Sequence, residues 1–146
     1  MAEIIVVRQK ADFTTEFLAQ FEGEPKLSAV EDIRDITPYG MLLAGLGSCS
    51  AVLVNSYAQH HGIALDEVEF RVEYERSFKE DCEHCEEAQQ FDEQIKMAVK
   101  FKGELNQQLI EKLYKISLQC PVHKILEHGI QVQSRLEMEP ATPSTD

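Results

Sequence analysis

Basic residues are scarce in this chain. Fourteen lysines and arginines stand against 26 aspartates and glutamates, a formal net charge of −12 over 146 residues. Nucleic-acid binding needs a basic surface to meet the phosphates, so nucleic acid is excluded as a partner. Anionic membrane surfaces are excluded on the same ground, and the acidic excess is read as a device for solubility. The opening "MAEIIVVRQK" lacks the basic start and full apolar segment of an export leader. There is no internal repeat and no composition break marking a second domain. The length fits one domain, and 43% apolar residues supply a core. That domain is expected over 1–139, with "PATPSTD" at 140–146 as a disordered tail.

Aspartate, glutamate, lysine and arginine are all missing between Ile36 and Leu65. A run this long raises the question of a membrane span. It is broken by Pro38, Gly40, Gly45, Gly47, Ser48, Ser50, Asn55, Ser56 and Gln59, too polar a set for a good span, so no membrane is expected. Four cysteines without an export leader point to a reducing cytoplasm. There, thiols serve as reactive groups or metal ligands rather than as a disulfide framework.

The hydrophobic pattern predicts strands over 3–8, 14–21 and 26–31. A helix follows from Pro38 to about His61, with Thr37 as N-cap, Pro38 at the first position and Gly62 just past the end. It is apolar nearly all round and is expected to be buried on most sides. Its small residues Gly45, Gly47, Ser48 and Ala51 suit close approach by another element. Residues 67–75 and 94–101 alternate apolar and polar with period two, as strands with one dry face do. The acidic wet face of the first is expected opposite the basic wet face of the second. A helix is predicted from about Asn106 to Gln119, and a short one over "CPVHKILEHG" with Cys120 at its N-cap. A last strand is predicted from Ile130 to Met138.

Three groups of residues carry possible chemistry. Cys120 opens a helix, where free amides and the helix dipole favour a thiolate, and His123 lies one turn on. Cys49, in "LAGLGSCSAV", is mid-helix and has no such amides; it is either packing or a nucleophile whose charge something else must hold. The "CEHC" loop places Cys82 and Cys85 around His84 among acids. One CxxC is half a zinc site, which two chains would complete. The same residues also read as a plain loop, or as a redox pair whose thiols the neighbouring acids disfavour as thiolates. His60, His61 and His128 lie at helix C-termini, where the dipole favours cations.

"TPYGMLLAGLGSCSAVLVNSYAQHHGIAL", two alternating strands, a helix and "LQCPVHKIL" together resemble the OsmC/Ohr family, the osmotically inducible protein C and organic hydroperoxide resistance proteins. The resemblance covers Thr37 to Met138. It implies an α+β fold with β-sheets packed on two central helices in an intertwined homodimer. It implies that Cys49 is the peroxidatic thiol, oxidised to a sulfenic acid by the hydroperoxide. Cys120 would then resolve it as a disulfide, which a small thiol or dithiol reduces. No bound cofactor is implied, apart from zinc should Cys82, Cys85 and His84 hold it.

The family usually carries a glutamate nine residues before the first cysteine, holding an arginine over the thiolate; here Gly40 stands there. Arg34, then Arg8, are the candidate cations, with Asp32, Asp35 or Tyr39 to orient them. The loss matters. An unperturbed thiol is about 3% ionised at neutral pH, so full ionisation raises the rate only about 30-fold, or about 2 kcal/mol. The rest must come from stabilising the departing alkoxide. Two other functions therefore stand beside a cytoplasmic hydroperoxide reductase. One is a non-catalytic dimer binding a small apolar or thiol ligand. The other is a metal or disulfide protein using the Cys82–Cys85 loop.

Overall fold

A computed structural model describes residues 2–78 and 91–138. The chain opens with an antiparallel hairpin, β1 (Ala2–Lys10) and β2 (Thr15–Phe21), followed by the two-residue strand β3 (Ser28–Ala29). A 3₁₀ turn, Ile33–Asp35, leads into the long helix α1 (Pro38–His60). Strands β4 (Leu65–Phe78) and β5 (Phe91–Gly103) follow, then α2 (Gln107–Ser117) and α3 (Pro121–His128). The five strands form one antiparallel sheet in the order β3-β2-β1-β4-β5. Because β4 pairs with β1, the chain must cross the sheet between β3 and β4, and α1 makes that crossing.

Helix α1 starts where the sequence says it should. Thr37 Oγ1 accepts from the Gly40 amide at 3.1 Å, Pro38 occupies the first turn, and Gly62 adopts φ 62° beyond the end. Its buried residues are Gly40, Leu43, Leu46, Gly47, Ser50, Ala51, Val54, Asn55 and Ala58, a single stripe at helical spacing. That stripe packs on Ile5, Val7, Val68, Phe70, Val72 and Tyr74 from β1 and β4. The helix is long and apolar enough to cross a membrane by length and composition, and here its buried stripe is the core of the domain. The expected burial on most sides is not met within one chain. Tyr39, Met41, Leu42 and Val52 remain exposed, because one sheet covers only one side of a cylinder.

The small residues of α1 divide by facing. A Cβ added to Gly47 would lie 2.7 Å from Val7 Cγ2, so this glycine is where the helix touches the sheet. Ala51 is fully buried beside it. Gly45 meets nothing and serves no close approach in this chain. Polar groups pin the same interface. Asn55 Nδ2 donates to Gln9 Oε1 at 2.9 Å, and Gln9 Nε2 donates to Thr15 Oγ1 at 3.0 Å.

The β4–β5 pairing follows the charge pattern. Glu67 faces Lys102, Glu69 faces Lys100 and Glu73 faces Lys96 in register. Lys102 reaches Glu67 at 3.0 Å and Lys96 reaches Glu75 at 3.3 Å. The dry side of β5 (Ile95, Met97, Val99, Phe101) is only half buried. Helix α2 begins at Asn106, whose Oδ1 accepts from the Leu109 amide at 2.9 Å, and buries Leu113.

One element departs from its expectation. Residues 130–138 form no strand. Ile130, Val132, Leu136 and Met138 are 64–84% exposed. Alternation specifies a face to bury but not a partner, and no edge of this sheet pairs with the segment. The expected tail, 140–146, lies outside the described residues.

The contact at position 47 is testable. Gly47→Ala forces Val7 or the helix to move, and it is expected to cost about 1–3 kcal/mol. Thermal unfolding should show it as a fall of roughly 3–10 °C in Tm. An unchanged Tm would mean that α1 does not bear on β1 there.

Candidate active site at the Cys49–Cys120 pair

Helix α1 carries Cys49 just past the buried stripe, where it is half buried. Together with Ser48, Val52, Leu53, Ser56 and Pro121 it lines a shallow, almost wholly apolar depression of about 400 Å³. Pro121 belongs to α3, so the short helix ends against the same stretch of α1. Cys120, its N-cap residue, is completely buried. The two free thiols lie near enough for each to act on the other's ionisation. The structure thus brings together the two cysteines that the sequence separates by most of the second half of the domain.

Their environments differ in a direction that sequence spacing does not predict. Burial pushes the Cys49 thiol up, and the neighbouring Cys120 sulfur adds to the rise; the Val122 amide opposes it only in part. For Cys120, burial also pushes upward, but it is outweighed. The Cys49 thiol, the His123 amide, the Ser50 hydroxyl and the Val122 amide all favour its ionised form, and the net shift is downward. The helix start therefore favours the Cys120 thiolate through two amides and the Cys49 thiolate through one.

Other expected site residues lie elsewhere. Arg34 is on the 3₁₀ turn, 85% exposed in its side chain. Its Nε and Nη2 donate to the two carboxylate oxygens of Asp32 at 2.8 and 3.1 Å. The carboxylate expected to orient it is thus in place, held in turn by a capping box with Asp35. Arg8 pairs with Glu69 at 2.6 Å and with Glu16 at 3.6 Å. Neither arginine lines the depression at Cys49, and among the described residues no cation is one of the groups acting on that thiol. The expectation that one of them reaches Cys49 is not met within a single chain.

His123 contributes its amide to Cys120, while its Nδ1 is 2.9 Å from Glu127 Oε1. The imidazole faces a larger cavity of about 600 Å³ between α1, β5 and the ends of α2 and α3. Tyr39 stacks on Tyr74 in that cavity at 4.6 Å, and Tyr74 donates to Glu93 at 2.8 Å. Cys82, His84 and Cys85 lie outside the described residues. Among the described residues no cluster of His, Cys, Asp or Glu is suited to hold a metal.

Two residues escaped the sequence reading. Glu3 is a buried carboxylate on β1 that accepts from the Thr37 hydroxyl and, at 3.4 Å, from the Thr37 amide. A Cβ at position 40 would overlap Glu3 Oε1. The Glu3 carboxylate, reaching over from β1, occupies the space that a side chain at position 40 would take. The only sequence signal was a glutamate in phase with Ile5 and Val7 on a buried face. The second is Ser50, whose fully buried hydroxyl is among the groups that favour the Cys120 thiolate and has no hydrogen-bond partner among the described residues. Its signal was adjacency to Cys49 in an apolar run.

Comparison with known proteins agrees with this architecture. A family model for OsmC-like protein matches residues 31–135, from the turn before α1 through the segment beyond α3. The chain belongs to the OsmC-like family. Among solved structures it is similar to an OsmC-like hydroperoxide resistance protein from Jannaschia sp. CCS1, with a TM-score of 0.62 at 14% identity over 94% of this chain and 95% of that one. It is also similar to an OsmC-like protein from Mycoplasma pneumoniae (TM-score 0.48, 18% identity, 86% of each chain). A third is an organic hydroperoxide resistance protein from Legionella pneumophila (TM-score 0.48, 16% identity, 86% of this chain and 90% of that one). At these identities the likeness is one of fold. No curated protein matches the chain by sequence.

The unequal thiols can be read directly. With Cys82 and Cys85 replaced by serine, thiolate absorbance at 240 nm should titrate in two steps, one below and one above the ordinary thiol range. Removing the Cys120 charge relieves Cys49, so Cys120→Ala should lower the Cys49 midpoint. Cys49→Ala takes a donor from Cys120 and should raise the Cys120 midpoint. Two identical, unshifted midpoints in the single variants would show that the thiols are independent.

Proposed function

We propose that the chain is a cytoplasmic thiol-dependent peroxidase for organic hydroperoxides, working through Cys49 and Cys120. The observation that carries this reading is a pair of free thiols near enough to act on each other's ionisation, one half buried in an apolar depression and the other fully buried at the start of the helix whose Pro121 lines that depression. The hydroperoxide resistance activity named for the Jannaschia structure is in keeping with it.

In this reaction the Cys49 sulfur, as thiolate, attacks the terminal oxygen of ROOH. The O–O bond breaks, RO⁻ leaves and takes a proton to become ROH, and Cys49 becomes a sulfenic acid. The Cys120 thiolate then attacks the Cys49 sulfur. The S–O bond breaks, hydroxide leaves as water after protonation, and the Cys49–Cys120 disulfide forms. A small thiol or dithiol returns both cysteines to the reduced state. The apolar walls of Val52, Leu53 and Pro121 favour an organic peroxide over hydrogen peroxide, because an alkyl group gains burial there.

The missing cation is assigned to a second copy of the chain. α1 leaves Tyr39, Met41, Leu42 and Val52 exposed, α2 and α3 leave Leu118, Ile125 and Leu126 exposed, and 130–138 carries four uncovered apolar residues. A homodimer that covers these surfaces can bring Arg34, already oriented by Asp32, to the partner's Cys49. A second reading rests on the same lack of a cation at Cys49: a dimer that binds a small apolar or thiol ligand at the depression without turnover.

Consumption of cumene hydroperoxide with dithiothreitol separates the two. The wild type should turn over and Cys49→Ser should not; no turnover in either leaves the binding reading. Arg34→Ala should lower turnover by more than about tenfold, over 1.4 kcal/mol of barrier. If Arg34→Ala is as active as the wild type, the cation assignment is wrong. Sedimentation at micromolar concentration should give a dimer, and a folded monomer would remove the route by which Arg34 reaches Cys49.

A further inference from the structure

The larger cavity, about 600 Å³ between α1, β5 and the ends of α2 and α3, stands apart from the thiol chemistry: neither Cys49 nor Cys120 lines it. Its volume suits a small organic molecule. Much of its wall is apolar, from Leu42, Leu46, Phe70, Met97, Val99 and Leu118. What its polar groups can still offer depends on where their hydrogens go. The Tyr74 hydroxyl donates to Glu93 Oε1 at 2.8 Å, and the Ser117 hydroxyl donates to the Tyr114 carbonyl at 2.5 Å. Both side chains line the cavity and are well buried, 5% and 4% exposed. A hydroxyl has one hydrogen and two lone pairs, so each of these groups is left with acceptor capacity only. His123 has its Nδ1 committed to Glu127 Oε1, 2.9 Å away, and both residues are in the wall. Gln94 gives its amide to Glu75 at 3.3 Å, and the phenols of Tyr39 and Tyr114 sit on exposed side chains.

Charge points the same way. Glu93 and Glu127 are in the wall, and among the described residues no lysine or arginine is. The chain as a whole carries a formal charge of −12, which draws small cations toward such a mouth. Tyr39 and Tyr74 stack there with ring centres 4.6 Å apart, and aromatic faces attract cations. A molecule that enters must supply the donors, and a positive charge serves it better than a negative one. We propose that this cavity binds small organic amines in their protonated form, with the ammonium group at Glu93 beside Tyr74 and the apolar body against the α1, β5 and α2 side chains. The Glu93 carboxylate has a second oxygen beyond the one that Tyr74 uses, and an ammonium hydrogen can take it. The apolar body gains burial against Leu42, Met97 and Leu118.

The test is titration calorimetry of the full chain at neutral pH with three probes of one length: octylammonium, octanol and octanoate. Octylammonium is expected to bind saturably, one per chain, and roughly tenfold or more tighter than octanoate, with octanol between them. Octanol or octanoate binding as tightly as octylammonium overturns the proposal, because the head group would then not matter. Absence of octylammonium binding also overturns it, and this is the result expected if the side chains of a second copy fill the cavity.

Two substitutions locate the head group. Glu93→Gln keeps an oxygen for the Tyr74 hydroxyl and removes the charge from an exposed side chain, so it should fold. It should weaken octylammonium binding by roughly three- to tenfold and leave octanol binding unchanged. Glu104→Gln removes the same unit of charge from an exposed position outside the cavity and should bind octylammonium as the wild type does. Equal weakening by both substitutions would trace the effect to net charge and overturn the site. An affinity for octylammonium unchanged by Glu93→Gln would overturn it as well.

Discussion

The close approach of α1 to the sheet governs the rest of the molecule. Gly47 lets the helix lie against Val7 and Val72, and the buried stripe on either side follows from that contact. The rotation of α1 about its axis is thereby set. A helix turned so that Gly47 and Ala51 face the sheet must turn Cys49 toward its flank and Ser50 inward. Burial of Asn55 against Gln9 adds a polar lock that an alternative rotation would leave unsatisfied.

The site that results divides labour between two cysteines by environment rather than by residue type. Accessibility belongs to Cys49 and charge stabilisation to Cys120. The physical reason lies in helix position. A mid-helix residue has every nearby amide committed to the backbone ladder, while an N-cap residue faces amides with no intrahelical acceptor. Burial raises both thiols, and only Cys120 has enough donors to reverse the effect. The carboxylate of Glu3 over Gly40 shows the same economy of space: the side chain comes from β1 and takes the room left by the glycine beneath it.

Much apolar surface stays uncovered in the single chain, and it is not scattered. The outer face of α1, the ends of α2 and α3, and the 130–138 segment all present it. The acidic wet face of the sheet is, by contrast, neutralised locally through lysines of β5. On that face glutamates meet lysines within the chain, whereas part of the hydrophobic requirement is left open to another surface.

Local rules account for most of the elements. Thr37, Pro38 and Gly62 bound α1, Asn106 opens α2, and Cys120, Pro121 and Gly129 bound α3, because caps are decided by residues a few positions apart. The β4–β5 pairing was legible too, since period-two alternation and opposite charges specify face and neighbour together. The cysteine pair came from resemblance, carried by "LGSC" and "CPVH" at helical positions. Tertiary structure alone decided which side of α1 is dry, that the Glu3 carboxylate fills the space over Gly40, and that Ser50 is buried. It also decided that neither Arg34 nor Arg8 lines the depression at Cys49, and that 130–138 finds no strand to join. In each of these the outcome depends on groups far apart in sequence meeting in space. Periodicity gives the phase of a face but not the identity of what covers it.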